Sequence, residues 1–200
     1  GEATDSADLP WAARELSPSG FDTDTGAADP ALLAALAAPG DDVALMAAVE
    51  AGRFLVPIVA EPTEVDTSGE HAVDSQVDLA AVTLVAPDGM RALPVFSGIE
   101  AVAAWDPEAR PVPVTPARAG QAAVSEGCEV IVVDVAGPAT RVLRPSMVWA
   151  LAQQRRWVPA HTDPFVAASV TAALRDEPDV TASEIEEGNP RGEGVLGVVL

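Results

Sequence analysis

Short runs rich in Val, Ile and Leu, bounded by turn residues, predict strands over Phe54–Ala60, Val77–Ala86, Arg91–Phe96 and Glu129–Val135. Pro87-Asp88-Gly89 joins two of them as a hairpin. Pro57 and Pro94 each remove a ladder donor, so their strands are expected at a sheet edge or a bulge. After Gly137-Pro138 turns the chain, Thr140–Leu143 reads as a further strand. A last pair, Asp179–Glu186 and Val195–Leu200, flanks Gly188-Asn189-Pro190.

Between these runs the apolar spacing becomes helical. Proline fits the first helical position, where its missing N–H is no loss, and here it repeatedly follows a capping side chain. Asp29-Pro30, Thr115-Pro116 and Asp163-Pro164 all mark helix starts, and Pro145 opens a helix to about Gln154. Asp41 or Asp42 caps a helix running through Glu50, and Ser97 with Glu100 forms an S-x-x-E box ahead of Ile99, Val102 and Trp105. In the helix after Pro164, Phe165, Ser169 and Ala173 share a stripe with Val166, Val170 and Leu174, a surface expected to lie on something apolar. The fold class that follows is α+β, or mixed α/β, with flanking helices on a mixed sheet and a smaller helix-and-hairpin second domain. Residues 1–40 are expected to form an acidic lead-in arm and first helix, the arm either staying loose or packing on the body through Trp11, Leu16 and Phe21, with partial packing favoured by these three bulky apolar residues. Residues 41–156 are expected to form the first domain, and residues 157–200 are expected to begin a second, incomplete one.

Charge narrows the function. The chain has 200 residues and 48% apolar content, enough for a buried core, but its formal net charge is −20 with no Lys. Such a surface repels phosphate backbones and anionic lipid, so no nucleic-acid partner and no membrane partner are expected. The most apolar eighteen-residue window, Val43–Ala60, carries Glu50 and Arg53 and does not span a bilayer. The acidic start shows no secretory signal, so the cytoplasm is the expected compartment.

Chemistry is sparse. Gly192, Gly194 and Gly197 spell G-x-G-x-x-G, but a turn precedes them and no helix follows, so they read as turn glycines and not as a pyrophosphate loop. Cys128 is flanked by Gly127 and Glu129, with Glu126 nearby, which suits a small half-buried residue better than a nucleophile. His161 and Asp163 would need a serine elbow that the sequence lacks, and Asp163 serves as a helix cap; His71 reads as solvated. Glu184, Glu186 and Glu187 read as edge charges that oppose strand-to-strand aggregation. One Cys and two distant His exclude a structural metal cage, and no catalytic residue, metal or cofactor is expected.

One anomaly stands out. Val135 to Thr162 contains no Asp or Glu, yet holds Arg141, Arg144, Arg155 and Arg156. The last two suit a helix C-terminus. Arg141 and Arg144 stand near a helix start and need an internal carboxylate or an acidic partner, with internal pairing favoured because acids abound. With Trp149 and Trp157 they form the candidate binding set, since Trp and Arg dominate interface hot spots.

GFDTDTGAADPALLAAL, RFLVPIVAEP, ALPVFSGIEAVAAW and VIVVDVAGPAT, in that order, resemble the SseB family, in the form carried by high-GC Gram-positive bacteria. The resemblance covers Asp41 to Arg155 as the family's N-terminal domain and Pro164 to Leu200 as the start of its C-terminal domain. Family members extend beyond this point. The resemblance implies a fold and a cytoplasmic setting, with no catalytic residues to carry over. Two functions are expected. The first is a non-enzymatic interaction or regulatory protein with a protein partner. The alternative is a small-molecule-binding protein or an enzyme modulating amino-acid or sulfur metabolism, with a pocket between domains that uses Cys128, His161 and the four arginines.

Overall fold

The capping side chains act where the sequence places them in four of five cases. A computed structural model describes residues 21–60, 79–189 and 194–200 of the chain. The Asp29 carboxylate accepts from the Ala31 and Leu32 N–H groups and starts α1 (Pro30–Leu36). Asp41, and not Asp42, caps α2 (Asp42–Ala51) through the Ala44 N–H. Thr115 caps α4 (Pro116–Ser125) and Asp163 caps α6 (Pro164–Ala173). The exception is α3 (Ile99–Trp105), whose N-cap is Gly98 with no side-chain bond. The Ser97 hydroxyl donates instead to Asp134, 2.7 Å away, because a buried carboxylate outcompetes the local helix start.

The strands form a three-stranded and a four-stranded sheet, joined where Leu55 and Phe96 exchange two backbone hydrogen bonds of 2.8 Å. In the first, β1 (Phe54–Ala60) lies between β2 (Leu79–Ala81) and β5 (Arg110–Val114), antiparallel to both. In the second, the order is β3 (Leu84–Val85), β4 (Arg91–Val95), β6 (Val130–Val133) and β7 (Arg141–Leu143). Among the described strands only β4 and β6 pair in parallel, their crossover passing through α3, β5 and α4. The fold is therefore α+β with mixed sheets. The strand expected over Val77–Ala86 divides at Val82-Thr83, its first part pairing in one sheet and its last in the other. Gly89, at φ +88°, closes the hairpin turn.

The prolines correct the edge expectation. β1 and β4 are interior strands, yet neither loses a bond. Leu55 points its polar groups at Phe96 and away from β5, and by alternation Pro57 faces the same way, into the gap before β2 begins pairing at Ile58. The β4 carbonyls of Arg91 and Val95 bond toward β6, so Pro94 faces the opposite side, past the end of β3. The unexpected strand β5, RPVPV, sets Pro111 and Pro113 opposite Pro57 and Leu55, where no inter-strand donor is required.

Phe54, Leu93, Ile131 and Leu143 from the strands meet Leu32, Leu36, Leu45, Met46 and Met147 from α1, α2 and α5 (Pro145–Ala152) in one core. The helix α1 is thus part of this core. Phe96, Leu55 and Val102 form a smaller cluster, with Trp105 packed at 5.5 Å from the Phe96 ring. Beyond a 3-10 turn at Ala160–Thr162, α6 and the antiparallel pair β8 (Glu184–Glu187) and β9 (Leu196–Val199) complete the described chain. The two-row apolar stripe of α6 is covered only in part: Val166, Val170 and Leu174 are half-buried, while Phe165 is 78% exposed. Trp11, Leu16, His71 and Gly192 lie outside the described residues, as does the greater part of the lead-in arm. Gly194 sits at φ +75° and leads into β9, with strand and not helix after it. No helix among the described residues is long and apolar enough to cross a membrane.

Candidate functional site

Because Asp41 takes the capping duty, Asp42 is left free in the first turn of α2, where the helix dipole favours an acid. Its two oxygens hold two arginines: Arg141 Nη2 at 3.1 Å on Oδ1, and Arg144 Nη2 at 2.7 Å on Oδ2. Arg141 also donates to the Ala38 carbonyl at 2.9 Å. β7 is thereby fastened at both its ends to the α1–α2 corner, and the Asp42 side chain is 11% exposed. The pairing is internal, as the abundance of acids suggests.

Arg144 then lies over the Trp157 ring, its guanidinium carbon 5.9 Å from the ring centroid. Trp157 Nε1 donates to Ser146 Oγ at 3.2 Å, and its backbone N–H to Glu50 at 3.4 Å. Gly194 also leaves room for the guanidinium, since a Cβ there would come within 3 Å of Arg144. These groups border a cavity of about 420 Å³ where α2 and α5 meet the 3-10 turn and β8–β9, with His161, Thr162 and Glu187 also in its wall. Arg144, Trp157 and His161 are therefore brought together.

The other candidates stand elsewhere. Arg155 and Arg156, past the end of α5, are exposed, and neither makes an ion pair among the described residues. Trp149 projects from α5 at 52% exposure, beside a hollow of about 290 Å³ whose wall includes Cys128. Burial pushes the Cys128 thiol up from its ordinary value, with Glu126 adding less, against weaker opposing effects from a Thr83 hydrogen bond and Arg91. That thiol is held protonated, the wrong state for a nucleophile. Cys128 and His161 border separate hollows. Among the described residues, no group of three or more His, Cys, Asp or Glu gathers to hold a metal. The sequence marks the arginines of this site, but not Asp42 or Glu50, because both contacts span about half the chain.

The family model described as the SseB protein N-terminal domain matches residues 30–150, which runs from the first residue of α1 into α5. No curated protein and no solved structure matches the chain. With more than half of its length matched by that one model, and with the strand and helix order above filling the matched span, the chain belongs to the SseB family.

Proposed function

We propose that this chain is a non-enzymatic interaction or regulatory protein of the cytoplasm, and that the α5 side meets an acidic protein partner. The observation that supports this reading best is the division of the four arginines. Arg141 and Arg144 are committed to Asp42, whereas Arg155 and Arg156 stand exposed without an ion pair among the described residues, just beyond the helix that displays Trp149. Unspent cations in a chain of net charge −20 favour an acidic surface, and an exposed Trp supplies the apolar anchor. The same charge disfavours nucleic acid and anionic lipid. On this reading the residues from about 164 onward begin the family's C-terminal domain, in a member of the high-GC Gram-positive type.

The catalytic alternative draws less support, because its two reactive candidates border different hollows and burial disfavours the Cys128 thiolate. A photo-reactive benzoylphenylalanine at position 149 tests the interaction reading in cytoplasmic extract of the source organism. One saturable cross-linked partner is expected, displaced by excess unmodified chain, and absent when the same group replaces Val85 on β3. Equal cross-linking from both positions, or none from position 149, overturns it.

A further inference from the structure

A second cleft has no part in the arginine cluster. It opens at the carboxyl ends of β4 and β6, the parallel pair of the mixed sheet, and in open sheets with parallel strands ligands are commonly received at that end. Its volume is about 800 Å³, within the range of small-molecule sites. Ser97 and Asp134 lie at its buried end, 1% and 7% exposed. Leu33 and Ile99, both more than two-fifths exposed, stand in its outer wall, and Glu100 is the other acid there.

Asp134 is held firmly. Its N–H donates to the Val95 carbonyl at 2.9 Å, and its own carbonyl accepts from Thr140 Oγ1 at 2.7 Å and from the Gly137 N–H at 2.9 Å. Its backbone takes φ +52°, and Ala136 takes +66°, conformations that non-glycine residues seldom adopt and that surrounding structure must enforce. One carboxylate oxygen accepts the Ser97 N–H and the other the Ser97 hydroxyl, each at 2.7 Å. A carboxylate has about four acceptor positions, so each oxygen retains one. No cation pairs with it among the described residues. Arg53, whose guanidinium reaches the Ser97 carbonyl, is turned onto that carbonyl, the Asp24 carboxylate and the Ala27 carbonyl. A buried acid without a counter-charge is costly unless something supplies one.

We infer that this cleft binds a small organic ammonium with an apolar body, the ammonium on Asp134 and the body between Leu33 and Ile99. Among the described residues the cleft wall holds two acids and no Arg, which favours a cationic ligand; the Ala- and Gly-lined walls leave room for its apolar part. The test is calorimetric titration of the full chain with hexylammonium chloride, hexanol and hexanoate. Saturable binding of hexylammonium is expected, at least about tenfold tighter than hexanol, with hexanoate weakest. Asp134→Asn is expected to weaken hexylammonium about tenfold, which is 1.4 kcal/mol. Ala104→Phe, at an exposed position of the wall, is expected to block the cleft while the protein melts as before. Equal binding of ammonium and alcohol, no saturable binding, or binding unchanged by Ala104→Phe overturns the inference, the last also where Asp134→Asn fails to fold.

Discussion

Arg53 ties three stretches of chain together with one guanidinium: it donates to the Asp24 carboxylate, to the Ala27 carbonyl and to the Ser97 carbonyl. The Arg53 hydrogen bond, chiefly, holds the Asp24 carboxyl below its usual value, and the Gly26 N–H adds to this against the opposing effect of burial. The folded-state value is thus lower than the unfolded value of about 3.9. The stability this group contributes is then fully present above the unfolded value and is lost as pH falls through the folded one. Urea denaturation measured from pH 6 down to pH 3 should show stability declining with acid, and Asp24→Asn should decline less steeply. Equal slopes in the two proteins would remove Asp24 from the account. At this scale the sequence is a partial guide: an acid-free run with four arginines is visible in it, but the carboxylate that captures two of them lies 99 residues away from Arg141. Local reading finds the cations and not their partner.

Helix starts were legible because capping is a contact between neighbours, as at Asp29, Asp41, Thr115 and Asp163. Ser97 fails the same test only because Asp134, 37 residues on, takes its hydroxyl. Strand β5 was hidden for a similar reason, since its two prolines look prohibitive until their alternation aims both away from required donors. Packing between elements is equally silent in sequence. Gly120 in α4 reads as a weak helix position, yet a Cβ there would meet the Ala152 nitrogen at 2.7 Å and Leu151 Cβ at 3.0 Å. The glycine permits the close approach of α4 to α5, the helix that carries Trp149. Gly120→Ala gains helix propensity but drives its Cβ into the α5 backbone at Leu151 and Ala152, so it should destabilise by about 1–3 kcal/mol. Denaturant unfolding checks this, and a more stable variant would show that α4 and α5 have room to part.

Across the whole molecule, the core joins α1, α2, α4 and α5 to both sheets, and the acidic surface surrounds it. Within that surface the arginines have two separate roles. The Asp42 pair holds the α1–α2 corner to β7, so losing it should loosen the fold. The pair after α5 makes no ion pair with its own chain among the described residues, so losing it should leave the fold intact and weaken partner capture. Melting temperature and capture of the cross-linked partner, compared side by side for Arg141→Ala/Arg144→Ala and Arg155→Glu/Arg156→Glu, test this division most directly. The first variant should melt several degrees lower and, below its transition, still capture the partner. The second should melt like the parent and capture about tenfold less. Undiminished capture by the Arg155/Arg156 variant would contradict the assignment of the α5 side as the interaction face.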